Sequence, residues 1–198
     1  AADLPYLEEN DGGVLRYAPN QSGTYRLHGE IAARFRINNK GWNSLHKDYA
    51  RDKLQNKKRI CVVGDSYVEA LQVRYDSSFA ELLGQRLVDK GYEVEVFRFG
   101  LSGSPLSHYV YMIENELLRY SPDLIVVNLV HNDFMESLEP AFGTYSDSFS
   151  RVEANEAGTT VLTEPTAYKR KPSWWIKQSA IFRYLWVRKQ IRPDLLKR

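Results

Sequence analysis

The sequence predicts an α/β domain built on a parallel sheet, and three observations carry that prediction. Residues 58–63 and 123–130 are short runs rich in apolar, β-branched residues of the kind buried on both faces of a sheet, and residues 92–99 read as a further strand. The segments between them have apolar residues at helical spacing, with recognisable start and stop signals. The order strand, helix, strand, helix, strand then implies parallel pairing with right-handed crossovers.

Taken in order, residues 1–56 are polar and broken by turns such as Asp11-Gly12-Gly13 and Asn38-Asn39-Lys40-Gly41. They read as an N-terminal extension packed on the core, with brief strands at 24–26 and 33–37. The domain proper spans 57–198, and its first strand ends at Gly64. Ser77 or Ser78 can cap a helix whose apolar face is Phe79, Leu82, Leu83 and Leu87, and Gly91 stops it. Ser104-Pro105 reads as a cap and first-turn proline. Leu106, Tyr109 or Val110, Ile113 and Leu117 trace the face of the next helix, which Ser121-Pro122 ends. After the third strand the periodicity fades. Residues 136–171 read as a surface excursion or lid, and residues 173–198, with Trp174, Trp175, Phe182, Tyr184 and Trp186 among Lys and Arg, as an aromatic, basic helix.

The 198 residues carry 27 basic and 25 acidic side chains for a net charge of +2, so there is no concentrated basic footprint for nucleic acid. The single cysteine, Cys61, excludes an internal disulfide and reads as a small buried hydrophobe. No run reaches the ~18 apolar residues of a membrane span, so a soluble protein is expected. The four histidines have no ligand spacing and no Cys/His cluster exists, so no metal and no cofactor are expected.

In parallel sheets ligands bind outside the carboxyl ends of the strands, which directs attention to Gly64-Asp65-Ser66, Gly100-Leu101-Ser102-Gly103 and His131-Asn132-Asp133. A serine just past a strand presents its hydroxyl at the sheet edge, with the backbone N–H groups after it turned toward a reacting carbonyl oxygen. Gly103 can expose a further N–H and Asn132 can donate a side-chain hydrogen bond, which together are the equipment of acyl transfer.

Gly64-Asp65-Ser66-Tyr67-Val68-Glu69-Ala70 resembles the first block of the SGNH (GDSL-like) serine hydrolases. Phe99-Gly100-Leu101-Ser102-Gly103 is similar to their second block, and Val130-His131-Asn132-Asp133 to their Gly-x-Asn-Asp block, with Val130 in place of the glycine. Arg34-Phe35-Arg36-Ile37-Asn38 resembles the lead-in of a bacterial subgroup with an N-terminal extension. The resemblance covers roughly residues 24–135. It implies a flavodoxin-like three-layer fold, Ser66 as nucleophile, and Gly103 and Asn132 as oxyanion donors. It also implies a C-terminal Asp-x-x-His motif and about five strands. Neither is present in this sequence, so the chain is expected to be C-terminally incomplete, with a companion chain or a missing segment supplying the dyad.

Each assignment has a plainer alternative. Ser66 could sit in a turn or an anion-cradling loop, Asn132 could bond local backbone, and Gly103 could be a turn glycine. His131 could contact substrate or act as a substitute base. His108 is expected in a surface or packing role, and nothing marks out His28 or His46. Asp65 and Asp133 are expected to serve loop geometry. The expected function is an esterase or O-acyltransferase acting on small-molecule or glycan acyl esters through an acyl-serine, in a periplasmic or secreted setting. The alternatives are a non-catalytic binding or scaffolding module and an anion- or flavin-binding module. The 174–198 segment would pack on further protein or touch a membrane surface.

Overall fold

The computed structural model describes residues 5–8, 13–27, 29–54, 56–138, 146–155, 158–169, 179 and 181. Strands β1 (Ser22–Leu27) and β2 (Ile31–Arg36) form an antiparallel hairpin. These strands run longer than turn residues alone indicate, because inward Tyr25, Ala33 and Phe35 have a core to enter.

The α/β class follows as expected. Strand β3 (Lys58–Gly64) is central, with β4 (Val94–Gly100) and β5 (Leu124–Val127) parallel on either side. Val62 and Val63 of β3 are fully buried, since helices cover both faces of a parallel sheet. Helix α1 (Ser66–Glu69) follows β3 directly, and α2 (Phe79–Asp89) crosses to β4. Ser78 is the α2 cap, accepting from the Glu81 N–H at 3.4 Å, and Gly91 stops the helix at φ +87°. Helix α3 (Leu106–Asn115) and a 3-10 turn (Leu117–Tyr120) lead to β5, with Ser121 left-handed at φ 49°.

Three details differ from the sequence reading. Strand β5 is four residues long and half-exposed, where a buried run over 123–130 was expected. It is an edge strand among the described residues, so Leu124 and Val127 have no strand neighbour on one side. Pro105, and not Ser104, occupies the α3 cap position; Ser104 is drawn into a turn closed by its N–H on Leu101 O at 3.1 Å. On α2 the buried residues are Ala80 and Glu81, while Phe79 and Leu82 are exposed.

Residues 5–54 are tied tightly to the sheet. Trp42 and Tyr49 are fully buried against Phe97 and Phe99, with Tyr49 stacked on Phe97 at 4.1 Å. The Tyr49 hydroxyl donates to Arg98 O at 3.0 Å and accepts from Arg98 N–H at 3.1 Å. It thus satisfies the backbone on the outer edge of β4, which would otherwise be an open template.

Beyond β5, helix α4 (His131–Glu136) is followed by a 3-10 turn (Ser146–Ser148) and the hairpin of β6 (Val152–Ala154) and β7 (Thr160–Leu162). The hairpin is exposed, yet Phe149 and Tyr168 enter the cluster formed by Leu15, Tyr17 and Leu101. His108 Nδ1 accepts the Ser150 N–H at 3.1 Å, and Ser107 Oγ donates to Ser150 O at 2.8 Å, so this stretch is fastened to α3. Of residues 173–198, read as an aromatic, basic helix, all but Ser179 and Ile181 lie outside the described residues. No helix among the described residues is long and apolar enough to cross a membrane.

Replacing Tyr49 with Phe keeps the packing but orphans both Arg98 backbone groups in a buried setting. The expected cost is about 1–3 kcal/mol, read from urea unfolding midpoints.

Candidate active site

The three loops singled out in the sequence meet because their strands end together. Gly64 pairs with Gly100, and Val63 with Val127, so each loop leaves the same edge of the sheet. Two glycines make the approach close. A Cβ on Gly100 would lie 2.1 Å from Glu69 N and 2.5 Å from Val68 C, both backbone atoms of α1. A Cβ on Gly64 would meet Val68 Cγ2 at 2.6 Å and Asn128 O at 3.1 Å. The glycines are therefore required by space, which lets α1 sit directly on the strand ends.

Ser66 is the first residue of α1, partly exposed, with its Oγ 3.4 Å from Asp65 Oδ2. Asp65 is buried and caps α1, its Oδ1 accepting the Tyr67 N–H at 3.0 Å. This corrects one expectation: the N–H after the serine is spent on the cap and is not turned toward an incoming carbonyl.

Glu69 joins the first loop to the second, and the sequence reading did not single it out. Its buried carboxylate accepts the Ser102 N–H at 3.2 Å, and also the Ser102 and Tyr17 hydroxyls. Burial raises its pKa above the ordinary carboxylate value, opposed by those hydrogen bonds. Arg98, fully buried on β4, reaches beneath the same helix. It donates to Val68 O at 3.2 Å, Glu69 O at 3.3 Å and Tyr75 O at 2.8 Å, and ion-pairs with Glu81 at 3.3 Å. A charged pair inside a strand-helix repeat, Arg98 amid apolar β4 and Glu81 on the apolar side of α2, is the signal that would have pointed here.

Gly103 follows Ser102 at φ +76° with open space where a Cβ would stand, so its constraint is conformational. Among the described residues its N–H has no protein acceptor.

In the third loop Asn132 is half-buried and His131 is exposed, both in the first turn of α4. Asp133 is fully buried and shapes the loop by accepting the Val130 N–H at 2.7 Å. Burial raises its pKa. The Tyr109 hydroxyl faces it without closing a hydrogen bond of ordinary geometry, and burial, then the Asp65 and Asp133 carboxylates, push that phenol's pKa up. Tyr109 therefore marks where the first and third loops converge. Asp65 and Asp133 both act through hydrogen bonds to loop backbone.

No histidine among the described residues hydrogen-bonds to Ser66 Oγ. His108 is fully buried, its pKa pushed down to about 3 by burial, and belongs to the α3 packing. His46 packs edge-on against Phe97 at 5.4 Å, and His28 lies outside the described residues. Burial pushes the Cys61 thiol up to about 12. The described residues hold no cluster of three metal-ligating side chains.

The model of the family described as GDSL-like lipase/acylhydrolase matches residues 60–168. The chain belongs to the GDSL-like lipase/acylhydrolase family. It is 32% identical over 82 residues to the esterase TesA of Pseudomonas aeruginosa, covering 41% of each chain. It is 27% identical over 86 residues to an arylesterase of Vibrio mimicus, covering 43% of each. The match thus spans less than half the length of either relative. The crystal structure of TesA is 30% identical, with a TM-score of 0.38 over 42% of this chain and 46% of that one. The residues matched by the family model, 60–168, include all three loops.

The raised Glu69 pKa carries a sign. Its protonated form is favoured in the folded state, so its contribution to stability is full below the unfolded value of about 4.3 and falls as pH rises through the folded value. The stability advantage of the wild type over Glu69→Gln is therefore expected to be largest near pH ~4 and to shrink toward pH ~8. Paired denaturation curves across that range measure it.

Proposed function

We propose that this chain carries the nucleophile and oxyanion half of a serine esterase or O-acyltransferase. Ser66 Oγ attacks the ester carbonyl carbon, and the alcohol leaves with a proton as an acyl-serine forms. Water or a sugar hydroxyl then takes the acyl group. In this reading the Gly103 N–H and the Asn132 side-chain amide donate hydrogen bonds to the carbonyl oxygen as negative charge develops on it. The observation that carries this reading is the common edge: three adjacent parallel strands end in register, and the loops bearing Ser66, Gly103 and Asn132 leave from it. The esterase names of the relatives support ester chemistry, and acyl esters on a glycan are one substrate class this machinery serves.

A serine hydroxyl needs a base to become a competent nucleophile. That need, set against a Ser66 hydroxyl whose described neighbour is Asp65, favours a second reading: a binding module of the same fold without turnover. His131, exposed on α4, is the candidate substitute base, and a C-terminal continuation of the chain or a companion polypeptide are the other sources.

A fluorophosphonate probe separates the two. Under the proposal Ser66 is labelled, Ser66→Ala is not, and peptide mapping finds the adduct on residue 66. An unlabelled but folded wild type points to the binding module or to a base supplied from outside these 198 residues. In a labelled protein, Asn132→Ala is expected to slow the reaction by about 10²–10³, as removal of an oxyanion donor does.

A further inference from the structure

A cavity of about 490 Å³ opens beside Ser66 on the side of α1 that faces the start of α2. Its wall includes Ser66, Tyr67, Ala70, Gln72, Val73 and Phe79. None of the described side chains that line it is charged. The two further hydroxyls on the wall are already engaged: Ser77 Oγ donates to Asp76 at 2.9 Å, and Ser78 Oγ caps α2.

The apolar groups here are held open to solvent. Tyr67 is 64% exposed, and Val73 and Phe79 are each about two-fifths exposed. Helical spacing assigns Phe79 to the core face of α2, yet it stands at the cavity mouth. Exposed apolar side chains gathered round a reactive centre mark a ligand surface more than a folding one.

The wall is also braced. Ala70 turns the chain at φ 51°, Arg98 holds Tyr75 O at 2.8 Å, and the Tyr75 N–H donates to Arg34 O at 2.9 Å. Neither Gly103 nor Asn132 contributes to the wall, so the cavity is separate from the donors for the carbonyl oxygen.

We infer that this cavity binds one arm of the ester, an uncharged aliphatic or aromatic group longer than acetyl, while the carbonyl oxygen turns toward Gly103 and Asn132. This rests on the reading of Ser66 as the nucleophile. The volume lies in the range of small-molecule sites, and a lining without charge disfavours an anionic arm, which would lose its hydration without gaining a partner.

The test uses the Ser66→Ala chain, ¹⁵N-labelled, titrated with methyl hexanoate, its isomer pentyl acetate, and methyl acetate. The expected result is saturable shifts of the Ala70, Gln72 and Phe79 amides with one of the two isomers, which names the arm. Affinity should rise roughly fourfold per methylene from methyl acetate to that isomer, with methyl acetate silent at the same concentrations. Val73→Glu, its fold checked by circular dichroism, should remove the shifts, and Val73→Ala should weaken binding severalfold. Shifts that ignore chain length, shifts that survive Val73→Glu, or none with either isomer would overturn the assignment. Because the titration is made without the serine hydroxyl, a wild type that binds these esters here but resists fluorophosphonate would count against Ser66 reacting in this chain and leave the cavity standing.

Discussion

The contact on which the site depends is that between Gly100 and the backbone of α1. Gly100 ends β4, and a single added carbon there would stand 2.1 Å from Glu69 N. No side chain can yield to relieve such a clash, because the opposing atoms are backbone. The closeness lets a helix of only four residues rest on the strand ends. Its first residue, Ser66, is thereby held at the sheet edge, and its last, Glu69, reaches the second loop.

Around that contact, buried polar groups do the fixing that apolar packing alone would leave loose. Arg98 gathers Val68 O, Glu69 O and Tyr75 O from one side, and Glu69 gathers Ser102 and Tyr17 from the other. Asn43 Nδ2 adds a bond to Glu69 O at 2.9 Å. Residues 5–54 are thus part of the support, carrying Tyr17 and Asn43 to the helix and Tyr49 to the edge of β4. Leaving any of these buried groups unpaired would be costly, which is how distant parts of the chain come to specify one loop geometry.

Much of this frame was legible in the sequence. The three strand segments, a helix cap at Ser77 or Ser78 and the stop at Gly91 follow from local rules, and the three family blocks fall where the strands end. Phe79 and Leu82 were misplaced because helical spacing identifies an apolar face but cannot distinguish a core from a cavity. The length and exposure of β5 were misjudged for a related reason, since an apolar run does not reveal whether both of its neighbours are present. Glu69, Arg98, Tyr49 and Tyr109 were missed because their partners lie from 17 to 52 residues away, as with Arg98 and Glu81 or Glu69 and Tyr17, and no local pattern links them.

The most direct measurement is amide hydrogen exchange on Gly100→Ala beside the wild type. In the wild type the Glu69 and Ala70 amides bond to Asp65 O and Ser66 O, each at 2.9 Å, and the Ser102 amide to Glu69 Oε1. If α1 depends on the bare backbone of Gly100, the added methyl should abolish protection at these three amides and lower the melting temperature, while the centre of β3 stays protected. Unchanged protection at Glu69, Ala70 and Ser102 with an unchanged melting temperature would contradict the account.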